Sequence, residues 1–230
     1  MSRCWLTGAS SGIGAPLAQC LLEQGHQVAL GGRNADRLAP LAEHFPGQVL
    51  LAIGDLDDPV QVSGIATRIE QAWGALDRVI LNAGTCEYLE PGHFDPALVE
   101  RVVRTNFLAV SYCLAAALPL LRAGQHPHLV VMGSSVTWLA LPRAGAYGAS
   151  KAAVRYLVES QRIDLAREGI AVTLVSPGFV DTPLTRRNDF PMPQLWSAQR
   201  AASHIARRLP ERPLEINFPL LFTLVLRLVG

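Results

Sequence analysis

The eight residues Thr7-Gly8-Ala9-Ser10-Ser11-Gly12-Ile13-Gly14 restrict the folds open to this chain more than any other stretch. The apolar Cys4-Trp5-Leu6 before them reads as a short strand. Pro16 with Leu17, Ala18, Leu21 and Leu22 after them reads as a helix with one apolar face. Strand, glycine turn and helix together aim unpaired backbone N–H groups and the positive helix end at one point, where a phosphate binds. Gly8 permits the tight turn, and Gly12 and Gly14 let backbone and helix come close to a pyrophosphate. Ser10 and Ser11 add hydroxyl donors, and Thr7 and Ile13 complete the loop. The spacing is Gly-x-x-x-Gly-x-Gly and not the commoner Gly-x-Gly-x-x-Gly, but the mechanics are the same. A bound dinucleotide is the expectation.

The rest of the chain alternates in the same manner. Val28-Ala29-Leu30 is a second strand, closing on Gly31-Gly32-Arg33-Asn34. An acidic residue at this point selects a free ribose 2′-OH, whereas an arginine accommodates a 2′-phosphate. Arg33 with no carboxylate beside it therefore predicts NADP(H) over NAD(H). A helix is expected from Arg37 to Phe45, then a third strand over Val49–Ile53. Asp55 and Leu56 follow at the adenine edge, and Asp57 or Asp58 is placed to cap a helix that runs to about Trp73. A fourth strand, Leu76–Leu81, closes on Asn82-Ala83-Gly84, whose small residues admit a ribose. A long helix from Leu98 to Leu121 carries Asn106 in an apolar setting, where a buried amide needs partners. It is either a structural clasp or the holder of a water chain.

The chemistry concentrates in residues 128–151. Leu129-Val-Val-Met reads as a buried strand, and Ser134 and Ser135 stand near its C-terminal end, where open α/β sheets carry their sites. Tyr147 and Lys151 are four apart, which puts them on one face of the following helix. A free tyrosine loses its proton near pH ~10. Bringing that to ~7 needs about 3 units, or roughly 4 kcal/mol, which a close ammonium can supply. A serine at the strand end then holds a substrate oxygen while the tyrosine moves the proton.

The chain has 230 residues, half of them hydrophobic, enough for one α/β domain with its sheet covered on both faces. A net charge of +1, from 20 basic and 19 acidic residues, argues against a nucleic-acid surface. Cys4, Cys20, Cys86 and Cys113 show no metal or redox spacing and read as reduced thiols of a cytoplasmic protein. No uninterrupted apolar run reaches the ~18 residues of a membrane span, and no signal or transit peptide is expected.

These motifs, in this order, resemble the short-chain dehydrogenase/reductase family over residues 3 to about 185. Thr7–Gly14 is similar to the family's Thr-Gly-x-x-x-Gly-x-Gly, and Asn82-Ala83-Gly84 to its Asn-Ala-Gly. Asn106, a serine at 134 or 135, Tyr147 and Lys151 match its Asn-Ser-Tyr-Lys tetrad. Pro177-Gly178 with Val180 and Thr182 resembles the stretch that holds the nicotinamide amide. The family's serine lies thirteen positions before the tyrosine, which selects Ser134, with Ser135 the alternative if the strand bulges. The resemblance implies a Rossmann-like, doubly wound parallel sheet of about seven strands. It also implies hydride transfer between nicotinamide and a carbonyl or alcohol. Tyr147 would act as acid or base, Lys151 would lower its pKa and bind ribose hydroxyls, Ser134 would hold the substrate oxygen, and Asn106 would position a water.

Residues 184–212 are expected to form a lid region and 213–230 an apolar C-terminal extension. This extension departs from the family's usual ending and puts a tetramer in doubt; it could cover the pocket, meet another subunit or touch lipid. The two long helices are the surfaces on which the family dimerises, so a homodimer or homotetramer is expected. Trp138, Leu139, Leu141, Phe179, Phe190, Leu195 and Trp196 are pocket or core candidates, and together they favour an apolar carbonyl substrate. An NAD(H)-dependent alcohol dehydrogenase and a dinucleotide-binding regulator are the competing readings. An epimerase or dehydratase would need a larger C-terminal domain.

Overall fold

A computed structural model describes every residue from Met1 to Gly230. In chain order the strands are β1 (Arg3–Leu6), β2 (Gln27–Gly32), β3 (Val49–Ile53), β4 (Arg78–Leu81), β5 (His128–Met132), β6 (Ala171–Pro177), two short strands β7 (Val180–Asp181) and β8 (Trp196–Ser197), and β9 (Glu215–Phe218). The helices are α1 (Gly14–Glu23), α2 (Ala39–His44), α3 (Pro59–Trp73), α4 (Pro96–Val103), α5 (Ala109–Arg122), α6 (Gly145–Ala166), α7 (Ala198–Arg208) and α8 (Leu220–Val229). Seven strands form one parallel sheet in the order β3-β2-β1-β4-β5-β6-β9, and β7 pairs with β8 apart from it. The chain winds outward from β1 to β3, then returns and winds the other way from β4. A cleft therefore opens where β1 and β4 lie side by side, Leu6 opposite Ile80.

Successive strand residues point to opposite faces, so the alternation within β1 builds two cores. Cys4 and Leu6 pack with Leu17 and Leu21 of α1 and Ile205 of α7. Trp5 packs on the other face with Ile65 and Ile69 of α3, Leu114 of α5 and Val154 of α6. Asp58 caps α3, its carboxylate accepting from the Val60 N–H, and Gly74 ends that helix at φ 71°. The helix expected over 98–121 exists, but a π-helical turn at Arg104–Leu108 joins α4 to α5. The run Pro96–Arg122 has the length and hydropathy of a membrane span, yet Val110, Cys113, Leu114 and Leu121 on it are buried against the sheet.

Two expectations need correction. Residues 184–212 are not one lid: Ala201, Ala202, Ile205 and Ala206 of α7 are core residues packed with α1, which leaves only the segment before α7 outside the core. The C-terminal stretch is not a simple appendage, because β9 completes the sheet beside β6, Val175 opposite Ile216.

Candidate active site

The glycine turn is locked to the end of β4 by a short set of hydrogen bonds. Thr7 Oγ1 accepts from the Asn82 and Ala83 N–H groups at 2.9 and 3.1 Å. The Asn82 amide donates back to the carbonyls of Thr7 and Gly8 at 3.0 and 3.2 Å. The packing is too tight for any side chain at Gly14, where a Cβ would stand 2.1 Å from the Gly8 carbonyl oxygen. Gly8 and Gly12 both take positive φ, 67° and 56°. The start of α1 has no side-chain cap and no acidic residue in its first turn. That combination leaves backbone donors and the positive helix end for an anion, so these residues fit a dinucleotide phosphate.

One cleft of about 1200 Å³ gathers the sites expected from sequence. Gly8, Ser10, Ser11, Gly12, Ile13, Arg33, Asp55, Leu56, Asn82, Ala83 and Gly84 line one arm of it; Pro177, Gly178, Val180 and Thr182 line the far edge. Ser134, Tyr147 and Lys151 line the centre. Thr7 and Gly14 brace the turn from behind. Arg33 is exposed at the end of β2 and has no carboxylate partner. The Asp55 carboxylate is occupied locally, accepting from the Asp57 N–H at 3.0 Å.

Asn106 sits in the π-helical turn and is fully buried. Its Oδ1 accepts from the Thr85 N–H at 2.7 Å, and its Nδ2 donates to the Thr85 carbonyl at 2.9 Å and to Ser150 Oγ at 3.0 Å. Both amide protons are thus committed to protein, and the side chain is the clasp that fixes the chain leaving Gly84 against α6. Ser150 carries this onward by donating to the Tyr147 carbonyl at 2.7 Å.

Tyr147 lies in the first turn of α6 and Lys151 one turn later, with its ammonium donating to the Met132 carbonyl at 2.9 Å. Lys151 is only 4% exposed, and that burial pulls its pKa down to about 8. The phenol behaves opposite to expectation. Burial pushes the Tyr147 pKa up, the neighbouring Cys86 pushes it further, and the Ser134 hydroxyl lowers it. The Lys151 ammonium is turned to the Met132 backbone carbonyl. Of the two serines, it is Ser134 whose hydroxyl lowers the Tyr147 pKa, and its Oγ also accepts from the Val136 N–H at 3.2 Å, while Ser135 opens a 3₁₀ turn beside it.

The pocket wall also differs from the sequence expectation. Leu139, Leu141, Phe179 and Phe190 line it. Trp138 does not; its ring carries the guanidinium groups of Arg155 and Arg227, 5.2 and 4.4 Å from the centroid. Trp196 stacks on Phe218 at 4.9 Å, away from the site, and Leu195 is solvent-exposed. Residues that escaped sequence reading take their places: Cys86, Tyr88, Phe222 and Leu226. The i, i+4 spacing of Phe222 and Leu226 within a leucine-rich helix was their one available signal.

Comparison with known proteins agrees with this geometry. The family model described as short chain dehydrogenase matches residues 3–191. An uncharacterized oxidoreductase of Myxococcus xanthus is 32% identical over 222 residues, covering 93% of this chain and 86% of its own. Among solved structures, the Pseudomonas aeruginosa RhlG/NADP active-site complex superimposes with a TM-score of 0.85 at 26% identity, covering 94% of each chain. An alcohol dehydrogenase from Thermococcus sibiricus complexed with 5-hydroxy-NADP gives 0.84 at 25% identity over 95% of this chain and 96% of that one. With its parallel sheet, glycine turn and tyrosine–lysine helix, the chain belongs to the short-chain dehydrogenase family, and it is an oxidoreductase of that family.

Proposed function

We propose that this protein is an NADP(H)-dependent reductase of small, apolar ketones or aldehydes, working through Ser134, Tyr147 and Lys151. The observation that carries the reading is the convergence of these three side chains in one cleft with the glycine turn. The bound nicotinamide cofactor supplies the hydride, and the protein supplies orientation and the proton. Ser134 donates a hydrogen bond to the substrate oxygen. Tyr147, held protonated at neutral pH by its burial, gives its proton to that oxygen as the carbonyl becomes an alcohol. Lys151 offers a cation to the ribose hydroxyls and, with a pKa near 8, exchanges its own proton readily close to neutrality. Asn106 acts by fixing Thr85 and α6, and so positions Tyr147 without touching substrate.

Arg33 is the basis for choosing the phosphorylated cofactor: exposed, unpaired and at the end of β2. The two structural relatives whose descriptions include NADP or its 5-hydroxy derivative support the choice. Titration of NADPH and NADH by energy transfer from tryptophan tests it. Tighter NADPH binding, weakened at least tenfold in Arg33→Ala with NADH unaffected, is expected. Tyr147→Phe should keep that binding and lose at least a hundredfold in kcat. Preference for NADH would favour an alcohol dehydrogenase, and full activity in Tyr147→Phe would sink the mechanism.

A further inference from the structure

We infer that the C-terminal helix α8 is the substrate-selecting wall of the site, and that Phe222 and Leu226 select ketones or aldehydes carrying an aryl group or a medium-length alkyl chain. The inference rests on the reductase reading above. The helix lies wholly outside the segment matched to the family, which ends at residue 191. Its position is set by several independent contacts. Arg227 pairs with Glu215 of β9 and stacks over the Trp138 ring. The Gly178 N–H donates to the Phe218 carbonyl at 2.7 Å, tying the strand before α8 to the loop after β6.

So held, the helix turns Phe222 and Leu226 into the cleft that contains Ser134 and Tyr147. Phe222 meets Phe179 at 5.6 Å between ring centroids, Phe179 meets Phe190 at 6.1 Å, and Phe190 meets Tyr88 edge-on at 5.6 Å. Four rings from four separate segments thus form one continuous apolar arc beside the proton donor. Such an arc favours an apolar substituent over a charged one. The cation nearest this arc is spent elsewhere: Arg143 holds both Asp189 oxygens at 2.9 Å and lies 3.5 Å from Glu90. Arg187 also borders the cleft and is unpaired, so the test must include anionic substrates.

The test is a panel of 2-alkanones of increasing length, aryl ketones, and keto acids beside their methyl esters, reduced with NADPH by the full chain. In the wild type kcat/KM should rise about fourfold for each methylene that the arc covers. Phe222→Ala and Leu226→Ala should flatten that rise, losing tenfold or more on the longest and aryl substrates but under threefold on the smallest. Phe222→Leu, the fallback should the alanine variant fold poorly, should keep alkyl selectivity and lose the aryl preference. Leu224→Ala, on the exposed face of the same helix, should match the wild type throughout. A length profile that survives Phe222→Ala and Leu226→Ala would overturn the assignment, as would keto acids outperforming their esters. NADPH binding and the Tyr147→Phe variant report separately on the reductase reading. A wild type that binds NADPH but reduces no apolar member overturns the substrate class alone.

Discussion

The buried ammonium of Lys151 should leave a mark on stability that can be separated from its part in turnover. Its pKa falls from 10.5 to about 8 because the folded protein strips it of water. Below pH ~8 the group is charged in both states and the whole desolvation cost is present. Between about 8 and 10.5 the unfolded chain binds more protons than the folded one, so stability rises with pH through that window. The full shift is worth about 3 kcal/mol, and the part that falls between pH 7 and 9.5 is about 2 kcal/mol. Methionine keeps the unbranched stem and removes the charge. It also loses the hydrogen bond to the Met132 carbonyl, about 1–2 kcal/mol, but that loss is nearly independent of pH and cancels in a difference. Urea unfolding of the wild type and Lys151→Met, at intervals from pH 7 to 9.5, gives the quantity directly. The wild type should gain about 2 kcal/mol on the variant across that range. Parallel curves would mean that the ammonium is solvated, and the description of the site centre would be wrong. With Lys151 in its proposed role, the variant should also lose turnover.

Two further outcomes follow from the same site. If Ser134 holds the substrate oxygen as proposed, Ser134→Ala should cost about a hundredfold in kcat, while Ser135→Ala stays within a fewfold of wild type; steady-state rates with one good ketone decide it, and equal losses would overturn the choice of Ser134. Asn106→Ala strips the Thr85 N–H and carbonyl of their partner at a fully buried position. It should destabilise the protein by about 2–4 kcal/mol, read by urea unfolding, and a loss under about 0.5 kcal/mol would rule out the clasp.

Much of this site was legible in sequence because its parts are set by local backbone demands. The turn from Thr7 to Gly14 needs positive φ at two glycines and no Cβ at a third, and few residue patterns meet that. Tyr147 and Lys151 share a helix face at any tertiary arrangement, and Asn106 in an apolar stretch had to find partners. The charge balance was not legible. Whether Lys151 lowers Tyr147 or is itself depressed depends on what surrounds each group in three dimensions, and Cys86 enters that balance from a loop far away in sequence. The π-helical turn was equally hidden, since the apolar period continues through it. Aromatic residues near the serines looked like pocket lining by proximity alone, yet Trp138 serves as a platform for two arginines.

The C-terminal helix shows why the remainder depends on tertiary structure. A Cβ at Gly178 would stand 2.9 Å from Phe222 Cδ1 and 3.0 Å from Pro219 Cδ. The glycine expected only at the nicotinamide edge therefore also makes room for the substrate wall. Phe218 seals the other side of this joint, fully buried and stacked on Trp196. Because β9 pairs with β6, whatever follows β9 emerges next to the loop after β6, at the same sheet end as Tyr147. The sheet thus delivers a segment outside the family match to the one place where it can reshape the pocket, while Tyr147 and the glycine turn stay on β1, β4, β5 and α6. That division lets the chain retain its family's reaction centre and still choose its own substrate.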